Sequence, residues 1–184
     1  MSATTTTLPT TGTWVIDASH SSVDFLAKHL VVSKVRGRFA SFSGSVLVAD
    51  PIEASTVDVT IDAASITTGD ETRDGHVKSG DFLDVEVFPI LAFRSTGAHR
   101  RNADEWTIPG ELTIRDVTKA VDLDVEYLGI FTDPWGSPKA AFTASTVIDR
   151  EEFGITWNQA LEAGGVLVGK TVRIELDVQL APQA

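Results

Sequence analysis

Period-two alternation of apolar and polar residues, repeated along almost the whole chain, is the feature that most limits its possible folds. Val23, Phe25 and Ala27 alternate with Asp24 and Lys28, and Val57, Val59 and Ile61 with Asp58, Thr60 and Asp62. Val121, Leu123, Val125 and Tyr127 alternate with Asp122, Asp124 and Glu126. Near the C-terminus Val172, Ile174, Leu176, Val178 and Leu180 alternate with Arg173, Glu175, Asp177 and Gln179. Successive side chains on a strand point to opposite faces, so each segment is a strand with one dry and one wet face. Parallel sheets, covered by helices on both faces, give continuous apolar runs instead; these strands are antiparallel.

Further strands are expected at 14–17, 43–49, 90–95, 111–114 and 139–149, between short breakers such as Asp50-Pro51, Pro109-Gly110 and Asp133-Pro134-Trp135-Gly136. Eight or more such strands can bury their dry faces in a sandwich or a barrel. The long runs, and the lack of an edge guarded by proline or inward charge, favour the barrel. Residues 1–12, rich in threonine and ending at Gly12, read as a flexible tail before a single domain over 13–184. The polar stretch Thr68–Leu83 breaks the alternation and reads as a short helix or a lid-like connection between two strands, with Asp70 as a candidate helix N-cap and Glu71 in the first turn. A second candidate for such a segment lies at His29–Val35.

The chain holds 26 acidic and 15 basic residues, a formal charge of −11. That field repels polyanions, which argues against nucleic acid and anionic membrane surfaces as partners. With no cysteine there are no disulfides, thiolate metal sites or cysteine nucleophiles. No apolar run approaches membrane-spanning length, and the N-terminus lacks the apolar stretch of a secretory signal. The expectation is a soluble cytoplasmic protein that is not membrane-integral, with a homodimer left open.

Gly164–Thr171 matches the G-x-x-x-x-G-K-T phosphate-loop pattern. That chemistry needs a helix after the loop, whereas a clear strand follows, so the glycines read as a turn between strands. His20, His29, His76 and His99 show no tight metal-ligand spacing, although the first three could converge in space. No G-x-S-x-G elbow is present, and Glu151-Glu152 reads as a solvated pair in a turn. Arg73-Asp74 and Asp149-Arg150 read either as surface pairs or as groups at a barrel mouth that orient a polar head group. Phe25, Phe39, Phe42, Phe82, Phe93, Phe142, Phe153 and Trp157 are spread over the whole chain, mostly on the apolar parity of their strands. An eight-stranded barrel lined by such residues is filled by its own side chains or holds one small ligand.

The order of motifs resembles the YceI-like family, a lipocalin-like set of bacterial polyisoprenoid-binding proteins. The likeness runs from Trp14 to Leu180. It is carried by Trp14-Val15-Ile16-Asp17 with His20-Ser21, by Val35-Arg36-Gly37-Arg38-Phe39 with Phe42-Ser43-Gly44, and by Arg73-Asp74-Gly75-His76 with Asp81-Phe82. Gly110-Glu111-Leu112-Thr113-Ile114 and Asp149-Arg150-Glu151-Glu152-Phe153-Gly154 complete it. Two positions depart from the family: Asp116 stands where relatives often carry glycine, and Leu83 where they often carry a second aromatic.

The resemblance implies an all-β, extended eight-stranded antiparallel lipocalin-like barrel with one or two short helices. It further implies an isoprenoid lipid, such as a quinone tail or related long-chain amphiphile, as ligand, with no required cofactor, no metal and no catalytic residues. Strand parity points Val23, Phe25, Val59, Ile61, Leu91, Phe93, Leu112, Ile114, Leu123, Val125, Phe142, Ile174 and Leu176 inward as cavity lining, and Phe82 is added to them. His20, His29, Arg73, His76 and Arg150 are expected at the pocket mouth. The leading expectation is a non-enzymatic carrier, store or sensor; the alternatives are an enzyme acting on a lipid or small apolar substrate in the same cavity, and a filled barrel.

Overall fold

The alternating segments become strands because Val, Ile, Phe and Thr fit a pleated surface with one buried side. The structure is a computed structural model that describes residues 7–30 and 32–183. In chain order the strands are β1 (Gly12–Ile16), β2 (Ser22–His29), β3 (Ser33–Phe39), β4 (Phe42–Val48), β5 (Thr56–Asp62) and β6 (Ile66–Thr67). After helix α1 (Glu71–Lys78) come β7 (Ile90–Ser95), β8 (His99–Arg100), β9 (Glu105–Ile114), β10 (Val117–Thr132), β11 (Pro138–Asp149) and β12 (Val168–Pro182).

Registers show that several strands are halves of longer ones. β1 and β2 both pair with β12, through Ile16↔Leu180 and Ser22↔Asp177, so they form one interrupted stave along the same edge. β3 and β4 run back beside β2 and β1, and β5 and β6 beside β4 and β3. Eight antiparallel staves result: β1–β2, β3–β4, β5–β6, β7, β9, β10, β11 and β12, closed into a barrel by β1 against β12. The interruptions have local causes. The Asp17 carboxylate accepts from Ser19 N and starts a tight turn at Ala18–His20; Asp62 does the same for Ala64 N.

One barrel end, called upper here, carries the 29–33 turn, α1 and its flanks, the Arg115-Asp116 turn and the 150–167 connection. Helix α1 forms as the sequence predicts, with the Asp70 side chain accepting from Arg73 N. At the second candidate segment no helix is found among the described residues. His29 pairs with Ser33 at the β2–β3 hairpin and Leu30 is left-handed at φ 51°, because the strand pattern on both sides outweighs local helix propensity. In the Ile114–Val117 turn Arg115, not Asp116, takes the left-handed conformation, at φ 58°. Gly164 and Gly165, with φ of 87° and 91°, sit in a turn bridged by Ala160↔Val166, and β12 follows, as the turn reading of the phosphate-loop pattern expects.

The lower end is closed differently from expectation. Of the segment read as a flexible tail, residues 1–6 lie outside the described residues, but residues 7–12 are tied down. Tyr127 Oη donates to Thr7 O and Trp14 Nε1 to Thr10 O; Pro9 is buried and Leu8 packs on a cluster of Trp14, Val48, Tyr127, Ala140 and Leu180. Composition alone misses this, since two apolar residues and two backbone carbonyls suffice to anchor the stretch. A larger cluster, with Ile66, Leu83, Phe153 and Ile155 among its members, seals the upper end.

Phe93 and Gly110 fix how closely β7 and β9 approach. A Cβ on Gly110 would lie 2.4 Å from Phe93 Cζ and 2.6 Å from Arg94 O. Because one obstacle is backbone, Gly110→Ala is expected to destabilise the fold by about 1–3 kcal/mol in urea unfolding; a neutral result would show that the ring and the strand shift freely.

Candidate ligand-binding site

Inward parity from all eight staves encloses a cavity of about 240 Å³. It runs from Leu8, Ile52 and Ala98 near the lower end to Ile61, Leu91 and Ile114 near the upper one. Along β10 its wall is Val121, Leu123, Val125 and Tyr127, a span of about 20 Å at the usual ~3.3 Å rise per strand residue. Four lining residues are polar: Asp24, Ser55, Tyr127 and Thr146. Three of them have hydrogen bonds, as Asp24 accepts from Ser22 Oγ, Ser55 Oγ accepts from Ala49 N, and Tyr127 donates to Thr7. The surface offered to a guest is therefore almost wholly hydrocarbon.

Thirteen of the sequence-derived lining positions meet in this cavity: Val23, Phe25, Val59, Ile61, Leu91, Phe93, Leu112, Ile114, Leu123, Val125, Phe142, Ile174 and Leu176. Phe82 does not. It lies beyond α1, tilted against Trp157 at 5.4 Å between ring centroids and edge-on to His76 at 5.0 Å. It belongs to no alternating strand, so parity could not place it. Leu83 is likewise buried in the upper core and not in the cavity wall. Missed residues divide by cause. Ile16, Val46, Val57 and Val178 share the inward parity and were legible; Leu8 and Pro9 come from the presumed tail and carry no periodic signal.

None of the five expected mouth residues lines the cavity, but two of them meet elsewhere: His76 is edge-on to Phe82 at 5.0 Å between centroids, and the Arg150 guanidinium lies 6.0 Å from the centroid of the same ring. His20 is exposed on the outside of the wall, where its Nδ1 lies 3.0 Å from Asp17. His29 ends β2 at the upper hairpin. Arg73 braces the turn before α1, donating from Nε to Thr68 Oγ1 and from Nη2 to Thr68 O, while Asp74 accepts from Thr67 Oγ1, Thr68 N and Thr68 Oγ1. His76 sits edge-on between Phe82 and Trp157, with Nε2 2.9 Å from Asp81. Among the described residues no group of three His, Asp or Glu could hold a metal ion.

Arg150 is the clearest correction. It is 4% exposed and its guanidinium donates to Ile155 O, Val168 O and Gly169 O, pinning the 150–167 connection to the start of β12. Burial pulls its pKa below the usual arginine value, against the nearby Glu151 and Asp149 carboxylates. Sequence showed a charge beside a turn; only packing shows that three carbonyls consume it.

A model of the YceI-like domain matches residues 14–180. The chain belongs to the YceI-like family. A UPF0312 protein of Staphylococcus aureus (strain USA300) is 38% identical over 171 residues, covering 91% of this chain and 96% of the relative. A YceI protein of Campylobacter jejuni has the same fold, with a TM-score of 0.73 and 27% identity over 85% of this chain and 90% of its own. A polyisoprenoid-binding domain of Saccharophagus degradans superimposes with a TM-score of 0.71 at 12% identity, covering 92% and 98%. No helix among the described residues of this YceI-like protein is long and apolar enough to cross a membrane.

Two electrostatic predictions follow from the groups around the barrel. Asp17 is held well below the usual carboxylate range, chiefly by the Ser19 hydroxyl and then by Lys139 Nζ at 3.1 Å and His20, against desolvation. A depressed folded pKa stabilises above the unfolded value of about 3.9 and is lost as pH falls toward the folded one. Asp17→Asn should therefore lower stability at neutral pH by about 1–2 kcal/mol and flatten its decline on acidification; parallel pH profiles would exclude the linkage. Arg150→Met removes the donor to Ile155 O and Gly169 O, while Val168 O keeps Asn158 Nδ2, and should cost about 3 kcal/mol in urea unfolding.

Proposed function

We infer that the barrel binds a long apolar amphiphile, an isoprenoid lipid of the quinone or prenyl type, as a carrier, store or sensor. The observation that carries this reading is the cavity itself. An apolar void of about 240 Å³ left empty forfeits roughly 6 kcal/mol at about 24 cal/mol per Å³ of lost contact. That is comparable to the whole stability of a typical domain, about 5–15 kcal/mol. Larger side chains on 33 available lining positions would remove the void. Their absence fits an occupant.

The shape narrows the guest. The volume, about 240 Å³, is below the about 300–1,000 Å³ of typical small-molecule sites, while the lining extends the length of the barrel. A single linear chain suits that better than a fused-ring or multi-chain lipid. The polyisoprenoid-binding domain of S. degradans shares the fold and supports the class of ligand. An enzyme in the same cavity would need facing titratable groups, and the wall offers one carboxylate, Asp24, already held by Ser22.

Added farnesol, at about 100 times its Kd, should raise stability by about 2.7 kcal/mol and the melting temperature by about 5–10 °C. Ala144→Trp fills the void from β11 and should weaken binding at least tenfold with little loss of stability; Phe93→Arg places a charge in the wall and should abolish it. Native mass spectrometry reads both. A wild-type protein that takes up no prenyl chain overturns the reading.

A further inference from the structure

The barrel wall is not sealed all the way up. β10 and β11 pair from Thr132↔Pro138 only as far as Asp124↔Ser145. Above that point β10 stays paired to β9 up to Val117↔Ile114, and β11 to β12 up to Asp149↔Thr171. No pairing joins the two edges themselves there. Two neighbouring staves of one barrel thus part company at the upper end of their seam. A cleft of about 330 Å³ lies in the gap, lined by Lys119–Asp122 on one side and Thr146–Asp149, Glu152 and Phe153 on the other.

This cleft and the interior cavity share two residues, Val121 and Thr146. Both have inward parity, so they mark where the outside of the seam reaches the inside of the barrel. Lys119 is also on the inward parity of β10, opposite Leu112 of β9, and makes no hydrogen bond or ion pair among the described residues. Thr146 is the one polar residue of the cavity wall whose side chain has no hydrogen-bond partner among them. Val147, outward on β11, leaves an apolar side chain 54% exposed at the lip. Such unpaired strand edges are usually guarded against pairing with other chains. Here no backbone ladder closes the seam, and Ile148 and Phe153 meet Val117 and Val121 by side-chain packing alone; with a hydroxyl at its inner margin and the exposed Lys119 outside it, it has the features of an amphiphile's route.

We propose that the seam between upper β10 and β11 is a lateral portal through which the apolar chain enters, and that the head group stays in the cleft. This rests on the reading of the barrel as lipid-binding. Lys119 and Thr146 donate to an oxygen of the head group. Asp122, Asp149 and Glu152 surround it with three carboxylates to one ammonium, which repel a diphosphate. The site therefore takes an uncharged head, a hydroxyl or a quinone carbonyl, over an anionic one.

Two measurements test this with the full chain. Farnesol and farnesyl diphosphate share a tail and differ in the head. By tryptophan-fluorescence titration farnesol is expected to bind at least tenfold tighter, and Asp122→Lys with Glu152→Lys should narrow that ratio. Equal or tighter binding of the diphosphate to the wild type overturns the head-group assignment. The absence of native cysteine allows Ala120→Cys with Val147→Cys to be bridged by a reducible bismaleimide. Bridging should slow farnesol uptake at least tenfold relative to the same protein before bridging, and reduction should restore it. An unchanged rate overturns the portal while leaving lipid binding intact; failure of the wild type to bind either probe overturns the lipid reading and the portal with it.

Discussion

Everything else in this molecule depends on the closure of the ring at β1. That short strand has β12 on one side and β4 on the other, and without it both lose their partner at the lower end, leaving the ring closed only through β2 between β12 and β3. Trp14 holds the closure. It is 2% exposed, packs with Val48, Tyr127, Ala140 and Leu180, and donates from its indole to Thr10 O. Burial of so large a side chain, about 2–3 kcal/mol, is a local gain that secures a global constraint. Only in a closed wall does alternation of side chains define an inside.

Closure also explains why the polar groups are divided as they are. The most buried cation, Arg150, is spent on three backbone carbonyls at the upper end. Arg73 and Asp74 are spent on the turn ahead of α1. These charges hold connections in place over a barrel end, which requires backbone carbonyls and amides that no strand can supply. They leave the interior to hydrocarbon. The seam above Asp124↔Ser145 is the exception, because there the wall itself is incomplete.

Strand parity was legible in the sequence, and the thirteen residues it turned inward line the cavity because a period of two has one answer once one face must be dry. Where the chain leaves that period, inference lost its footing. Phe82 looked like one more inward aromatic but packs against Trp157 and His76 outside the cavity. Of the histidines and arginines grouped at an expected mouth none reaches the cavity, and His76 and Arg150 meet instead on the ring of Phe82, since a residue in a connection has no parity to fix its direction. His20 is the plainest case: a three-residue turn started by Asp17 carries it to the outer surface.

The sequence by itself determined that the chain is antiparallel, which face of each long strand is apolar, and where α1 begins, because these follow from local periodicity and capping. Tertiary structure alone decided three things. It fused six short strands into three staves, anchored residues 7–12 over the lower end, and ended the β10–β11 pairing at Asp124↔Ser145. Each depends on which segments meet across the barrel. A contact between residues far apart in the chain leaves no periodic trace in either of them, so it exists only once the ring has closed.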